Sequence, residues 1–126
     1  MENDVSVFDI LGEEGITRMV AAFYRSVPND DVLGPMYPED DLEGAEKRLR
    51  DFLIYRLGGP PRYLEERGHP RLRMRHLPFA VTQQARDHWV AAMTHAMQQE
   101  GIPDSVQQAL QPFFDQMATF LINRPE

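Results

Sequence analysis

The sequence predicts an all-α fold in a single domain spanning residues 1–126, an ordinary length for one domain. Two observations predict this fold class. Four segments place apolar residues at spacings of three and four, which is the repeat of one helix face. No segment carries a convincing strand pattern. We therefore expect about four main helices.

The first two predicted helices are separated by turn-forming residues. EGITRMVAAFYRSV (14–27) is the first helix, and PNDD (28–31) ends it. Its apolar stripe consists of Ile16, Met19, Val20, Phe23 and Val27. The second helix is predicted to start at an N-cap, Asp40 or Asp41, and to stop at the Gly-Gly-Pro-Pro run at 58–61. Its apolar face consists of Leu42, Ala45, Leu49, Phe52 and Leu53.

The last two predicted helices lie in the C-terminal third. The third is expected to start at a Thr82 cap and to end at Gly101. Its buried stripe consists of Ala85, Trp89, Ala92, Met93, Ala96 and Met97. The fourth starts at Asp104 or Ser105, and Pro112 within it is expected to kink or split the helix. Its inward residues are predicted to be Val106, Leu110, Phe113, Phe114, Met117, Phe120 and Leu121.

Residues 60–81 have no sustained period, and so long an irregular stretch in a small domain is usually functional or disordered. Its Leu, Met, Tyr and Phe content argues against disorder. The segment HPRLRMRHLPF (69–79) also concentrates positive charge in a chain whose formal net charge is −7. The arginines concerned are Arg67, Arg71, Arg73 and Arg75. A solvated run paired with the protein's own carboxylates is the default explanation for such a cluster.

Composition excludes several classes of function. The chain has no cysteine, which rules out disulfides and thiolate metal sites and fits a reducing compartment, so we expect a cytoplasmic location. MENDVSVFDI is not a signal peptide, and no apolar run is long enough to span a membrane. The negative charge argues against a nucleic-acid partner. Dinucleotide, P-loop and H-E-x-x-H motifs are absent.

Four histidines are candidates for chemistry, and His76 stands apart from the others. His69, His88 and His95 are interpreted as surface residues. His76 lies among Leu72, Met74, Leu77 and Phe79, and local context makes a core histidine and a metal or cofactor ligand equally plausible. Arginine forks match carboxylates and phosphates. Arginines beside one histidine and many apolar side chains suggest a flat apolar ligand with anionic tails, a description that fits haem.

The sequence resembles the group II truncated, or two-over-two, haemoglobins of the bacterial O-type branch. The resemblance rests on FYRSV, MYPEDDLEGAEKRLRDFL, GGPPRYLEERGHPRLRMRHLPF and DHWVAAM, which span about Phe23 to Met93. It implies a globin-like two-over-two helical sandwich whose proximal helix is shortened to roughly one turn. Two departures from the family pattern are the separated glycines Gly12 and Gly15 at the first corner, and Pro112 in the last helix.

The resemblance also assigns residues to a haem b site. His76 matches the proximal iron ligand. Tyr24, Tyr37 and Trp89 match the distal ligand-binding residues, and Ala45 matches the small distal residue beside which a ligand could gain access. The other expected cofactor contacts are Arg48, Leu49, Phe52, Tyr63, Met74, Arg75, Phe79 and Met93, together with Trp89 itself.

The function implied is reversible binding of O2 and other diatomic gases at a pentacoordinate haem iron, as in oxygen transport. Tyrosine and tryptophan donors would hold the ligand, because a donor aimed at a polarised ligand in a dry pocket is stronger than in water. One alternative is a haem redox enzyme, a nitric oxide dioxygenase or peroxidase, which would need a separate reductase. Another is a haem-free helical interaction module. Oligomerisation is possible, and the sequence does not set the oligomeric state.

Overall fold

The computed structural model describes residues 6–37 and 39–125. Met1 to Val5, on which the prediction of no signal peptide partly rests, lie outside the described residues, as do Pro38 and Glu126. The described part is helical and contains no strand, which confirms the all-α prediction. Its α-helices are α1 (Val7–Ser26), α2 (Leu42–Arg56), α3 (Arg62–Arg67), α4 (Leu72–His76), α5 (Gln83–Gln99) and α6 (Asp104–Phe120). Three 3₁₀ turns, Val27–Asn29, Gly34–Met36 and Glu39–Asp41, connect α1 to α2.

Helix α1 begins seven residues before the predicted start at residue 14. Ser6 accepts a hydrogen bond from the Asp9 backbone N–H at 3.0 Å, and the Asp9 carboxylate accepts one from the Ser6 N–H. This reciprocal capping box satisfies two donors at the helix end. Gly12 then takes a φ of 70°, and the helix kinks there. Glycine reaches this region without steric strain, so Gly12 makes the first corner although the family's glycine pair is split.

Three more predicted helix ends are confirmed in position. Asp41 is the N-cap residue of helix α2, as predicted, although its side chain makes no capping hydrogen bond. At the other end, α2 stops at Arg56, and Gly58 follows with a φ of 111°. Thr82 caps α5 as predicted, because its hydroxyl accepts from the Ala85 N–H at 3.1 Å.

Helix α6 is continuous from Asp104 to Phe120, so Pro112 does not split it. Phe120 was predicted to face inward, and this is wrong: it is 58% exposed. It is the last residue of α6, and its ring lies beneath the Arg73 guanidinium, whose carbon is 5.7 Å from the ring centroid. Phe113, Met117 and Leu121 are half-buried, whereas the other inward residues are buried.

The helices form two packed pairs. Helix α1 packs against α2, α5 packs against α6, and α1 also packs against α5, which joins the pairs. This is the two-over-two arrangement implied by the resemblance. The predicted stripe of α1 is completely buried at the centre, with Ile16, Met19, Val20 and Phe23 at 0% exposure. No helix of the described residues is long and apolar enough to cross a membrane.

Helices α3 and α4 lie within the stretch that had no sequence period. They have six and five residues, less than two turns each, so an apolar repeat cannot develop in either. Arg71 precedes α4 in the left-handed region, with a φ of 44°. Helix α4 corresponds to the shortened proximal helix that the resemblance implies, and His76 is its last residue.

Candidate functional site

A cavity of about 480 Å³ lies between the two helix pairs and α4, a volume in the range of cofactor sites. Its wall is mostly apolar, with a few polar and cationic groups. The predicted site residues that line it are Tyr24, Tyr37, Ala45, Arg48, Leu49, Phe52, Tyr63, Arg75, His76, Phe79 and Trp89. The fold therefore brings together residues that lie up to 65 positions apart, from Tyr24 to Trp89.

Met74 and Met93 were expected to contact a cofactor, and neither lines the cavity. Met93 is fully buried in the core, because one turn beyond Trp89 helix α5 is already packed on α1. Met74 is 52% exposed. Met74 is two residues from both Leu72 and His76. It therefore lies about 200° from them around the axis of α4, on the outer side of that helix.

Sequence reasoning missed several residues of the wall. Ala85, Met117 and Leu121 had been recognised only as apolar, and helix periodicity could have placed them. Val81 ends the irregular stretch and carries no such signal. Arg67 belongs to the arginine cluster that suggested an anionic ligand, whereas Arg86, in the first turn of α5, was not singled out. The full set of additional lining residues is Leu33, Met36, Arg67, Leu72, Val81, Ala85, Arg86, Met117, Ala118 and Leu121.

The His76 ring is held in one tautomer by its own helix. Its Nδ1 lies 2.7 Å from the backbone oxygen of Leu72. A carbonyl oxygen only accepts, so Nδ1 must carry the hydrogen and donate. In the neutral ring, Nε2 is then left with a lone pair. That arrangement prepares an imidazole for a metal, with the second nitrogen fixed by an acceptor.

Two side chains, Asn123 and Arg75, form hydrogen bonds with the backbone of the segment around His76. Asn123 donates from Nδ2 to the His76 carbonyl oxygen at 3.0 Å, and its Oδ1 accepts from the Val81 N–H at 3.0 Å. Arg75 donates from Nε to the Pro70 carbonyl at 2.8 Å and from Nη2 to the Arg67 carbonyl at 3.0 Å. A one-turn helix has little stability of its own, so these contacts position His76.

Three polar aromatic side chains form a hydrogen-bonded group in the cavity wall. Trp89 Nε1–H, which can only donate, is hydrogen-bonded to the phenol oxygen of Tyr37, and the hydroxyl groups of Tyr24 and Tyr37 are hydrogen-bonded to each other. The rings of Tyr24 and Tyr37 meet edge to face, with centroids 5.6 Å apart. Phe23 and Phe114 pack against Trp89, with centroid distances of 5.4 and 5.6 Å, and fix its position. Tyr37 therefore accepts a hydrogen bond from Trp89, and because the two phenols share one hydrogen bond, one phenol O–H of the pair is left as a donor for a ligand.

Both tyrosines stay protonated at physiological pH. Burial raises the pKa of Tyr37 to about 12, although the hydrogen bonds from Trp89 and Tyr24 act in the opposite direction. Burial raises the pKa of Tyr24 still further above its ordinary value, and the neighbouring Tyr37 adds to this. A neutral phenol retains its O–H, so the group supplies donors and places no phenolate beside a bound ligand.

Cationic side chains line another part of the cavity. Arg48, Arg67 and Arg75 all belong to the wall, near the buried phenol of Tyr63. Arg48 pairs with Asp41 at 3.2 Å, and the Arg67 guanidinium lies 6.0 Å from the Tyr63 ring centroid. Their forked donors match carboxylates. An apolar wall, one prepared imidazole and a cationic edge fit the macrocycle, iron and propionates of haem.

A helix-lined apolar cavity that offers one imidazole as an iron ligand defines a haem protein of the globin class. The family model for bacterial-like globins matches residues 6–123. The group 2 truncated haemoglobin YjbI of Bacillus subtilis is 38% identical over 119 residues, which cover 94% of this chain and 89% of that protein.

Solved structures agree with this relationship. The group II truncated haemoglobin of Bacillus anthracis superposes with a TM-score of 0.93 at 33% identity, covering 99% of this chain and 96% of that one. A thermostable haemoglobin from Thermobifida fusca gives a TM-score of 0.90 at 43% identity, covering 96% and 99%. The chain belongs to the bacterial-like globin family, and within it to the group II truncated haemoglobins. The usual cofactor of this family is haem b.

Proposed function

We propose that this protein binds O2, and other diatomic gases, reversibly at a haem b iron ligated by Nε2 of His76. The observation that carries the proposal is the Nδ1 contact with Leu72 O, which leaves Nε2 as the available nitrogen in the same cavity as the Tyr24, Tyr37 and Trp89 donors. Haem supplies the iron on which the ligand binds, and the protein supplies one axial nitrogen, the donors and an enclosure that limits water.

The distal side favours a pentacoordinate iron. Ala45, which the resemblance places where other globins carry a histidine, has only a methyl side chain and cannot ligate. The aromatic group nearby consists of donors engaged with one another. Leu49 and Phe52, the latter packed edge to face on Tyr63 at 5.5 Å, form an apolar wall. A gas molecule entering beside Ala45 would therefore meet the haem together with a free phenol O–H of the Tyr24–Tyr37 pair.

Absorption spectra of the ferric, deoxy ferrous and O2-equilibrated protein test the proposal. We expect a Soret band with about one haem per chain, a five-coordinate deoxy spectrum, and an O2 form that returns to deoxy when O2 is removed. His76→Gly should lose this ligation, and added imidazole should restore it, since imidazole can occupy the space left. A protein without a Soret band after haem addition would instead be a haem-free interaction module.

A redox enzyme would use the same haem and give a different result. Under that alternative, the protein supplied with a reductant would consume nitric oxide or peroxide through many turnovers. The proposal expects the ferrous O2 form to persist over the course of an equilibrium titration. Sustained turnover together with an O2 form too short-lived to titrate would favour the nitric oxide dioxygenase or peroxidase.

A further inference from the structure

One exposed surface of the protein combines arginines with large apolar side chains. We call it the proximal face, and it consists of Arg71, Arg73, Met74, Leu77, Phe120 and Arg124. Met74, Leu77 and Phe120 are 52%, 52% and 58% exposed, and the three arginines are exposed as well. Isolated exposed apolar residues are ordinary, but several together within a cationic rim are typical of an interaction site.

The proximal face is continuous, because α4 and the end of α6 are bonded to each other. Arg73 Nη1 donates to the carbonyls of Phe120 and Ile122, at 2.5 and 3.1 Å. Asn123, the next residue, holds the His76 carbonyl. The Arg124 N–H donates to Val81 O at 3.2 Å. Residues of α4 and residues at the end of α6 and beyond it are thus held together beside the segment that carries His76.

The arginines of the proximal face are not neutralised by the protein itself. Elsewhere, most cations have a carboxylate within 4.0 Å; these are Arg18, Arg25, Lys47, Arg48, Arg50, Arg62 and Arg86. Among the described residues, Arg71, Arg73 and Arg124 have no such partner. The default explanation, a run paired with the protein's own acids, is therefore wrong for these side chains.

The charge distribution indicates an acidic occupant. The chain as a whole has a formal net charge of −7, so three unpaired arginines on one face form a local positive field on an acidic protein. Arginine, methionine and aromatic residues are also the types enriched at protein interfaces. Binding to an anionic lipid surface usually draws on about 4–8 clustered cations, more than this face offers.

A second copy of this chain suits the face poorly. The face is positive, so it does not complement itself, and a copy would have to present a different, acidic surface. Such head-to-tail contacts repeat into rings or open chains and do not stop at a dimer. A different protein with an acidic face meets the charge requirement without that consequence.

We propose that the proximal face docks a protein that donates single electrons through an acidic surface. The proposal rests on haem binding at His76, since α4 carries both the face and the ligand. A reduced flavoprotein is the donor class: its anionic flavin hydroquinone loses one electron and becomes the neutral semiquinone, and ferric iron gains that electron and becomes ferrous. No atom or proton is exchanged between the proteins. Electron-transfer complexes are characteristically small and transient, which a six-residue face can support.

The test uses flavodoxin, a small acidic flavoprotein, as the probe. Its hydroquinone is mixed with the ferric protein under CO, and the appearance of the ferrous CO spectrum gives a second-order rate constant. The Arg71→Gln/Arg124→Gln variant should lower that constant about tenfold at low ionic strength, and the difference should vanish at high salt. Arg18→Gln/Arg25→Gln, which changes the net charge equally on side chains away from the face, should stay within about twofold of wild type.

A second readout does not depend on electron transfer. In the diamagnetic ferrous CO form, oxidised flavodoxin should shift the amide resonances around Arg71, Leu77 and Arg124 of the 15N-labelled protein, and the double variant should weaken that binding. Failure of haem binding would be recognised separately, by a missing Soret band. With normal spectra and normal reduction by dithionite, equal flavodoxin rates in both double variants would overturn the docking proposal. So would arginine-dependent binding to phosphatidylglycerol vesicles, or arginine-dependent self-association in sedimentation velocity, accompanied by unchanged flavodoxin binding.

Discussion

Asn123 donates a hydrogen bond from its side-chain amide to the backbone carbonyl of His76, 47 residues earlier in the chain, at 3.0 Å. The oxygen of the same amide accepts from the Val81 N–H at 3.0 Å, and the Asn123 backbone N–H donates to Val81 O at 2.9 Å. Asn123 thus connects the end of α4 with Val81, two residues before α5 begins. The proximal histidine is positioned by the C-terminal end of the chain as well as by its own short helix.

Removing this connection should loosen the proximal side. We expect Asn123→Ala to lower the free energy of unfolding by about 1–2 kcal/mol, because half-buried backbone groups lose their partners. Haem transfer to apomyoglobin should become faster, and the iron–histidine stretching band in the resonance Raman spectrum should broaden or shift. Asn123→Asp is the matched control, since it retains the acceptor for Val81 N–H and loses only the donor to His76. An unchanged Raman band in both variants would show that Asn123 does not position the ligand.

The donor group predicts a rank order of O2 release. Tyr37 accepts from Trp89 and is also hydrogen-bonded to Tyr24, so Tyr37→Phe removes one phenol donor and the shared partner of the other two side chains together. We expect its O2 dissociation rate to rise about tenfold, the equivalent of one hydrogen bond. Trp89→Phe and Tyr24→Phe should also speed release, by smaller factors, because they free Tyr37 from a partner. Stopped-flow O2 displacement by CO measures these rates. Identical rates in wild type and all three variants would refute the role of the donors.

The raised pKa of Tyr37 predicts a loss of stability at high pH. An unfolded tyrosine titrates near its ordinary value of 10.0, whereas folded Tyr37 holds its proton to about 12 because burial disfavours the phenolate. Between these values the unfolded state binds fewer protons, so the free energy of unfolding falls as pH rises. Tyr24 contributes in the same direction. Denaturant unfolding at several pH values should show a shallower fall for Tyr37→Phe than for wild type. If the free energies of unfolding of wild type and Tyr37→Phe fall in parallel over this pH range, the pKa of folded Tyr37 is not raised.

Asp30 holds the turn that leads into the distal wall. Its Oδ1 accepts from the Val32 and Leu33 N–H groups, both at 2.8 Å, and lies 3.0 Å from Nδ1 of His88. Partial burial opposes ionisation, but the Leu33 N–H and then His88 outweigh it and lower the pKa of Asp30 below its ordinary 3.8. His88 was interpreted as a surface residue, and it is in fact half-buried against this carboxylate.

The lowered pKa gives the Asp30 contribution a defined pH dependence. Stability from this carboxylate is present above pH 3.8 and is lost as pH falls through the folded pKa. We expect Asp30→Ala to lower the free energy of unfolding by about 1–2 kcal/mol at neutral pH, and the difference from wild type to shrink in acid. Because Leu33 lines the cavity, ligand rebinding after flash photolysis should change as well. His88→Gln is the control, since it leaves the two backbone contacts in place and should have the smaller effect.

The number and type of the main helices could be predicted because each is long enough to show its period. The stripe Ile16, Met19, Val20 and Phe23 repeats over two turns of α1 and is completely buried. The start of α1 was missed although Ser6 and Asp9 form a readable capping box, because the kink at Gly12 interrupts the stripe that would have extended to it. Helices α3 and α4 are too short for any period.

The residues of the candidate site could likewise be predicted only in part. Local context left His76 undecided between a core residue and a ligand, and the family resemblance resolved that choice through Tyr24, Tyr37 and Trp89. Neither the local context nor the family resemblance indicated that Met93 lies in the core whereas Trp89, one turn earlier, faces the cavity. That difference depends on where α1 crosses α5, which is a property of packing and not of spacing along one helix.

By itself, then, the sequence determined the four main helices, the arginine cluster and the residue types that haem chemistry requires, because these follow from local periodicity and composition. Only the tertiary structure decided that Tyr37 is hydrogen-bonded to both Trp89 and Tyr24, that Asn123 binds the His76 carbonyl, and that Arg71, Arg73 and Arg124 lack carboxylate partners among the described residues. The physical reason is distance along the chain. Hydrogen bonds and ion pairs act over a few ångströms, and these join segments far apart in the chain, such as Arg25 and Glu100, 75 residues apart, whose approach depends on how the helices pack.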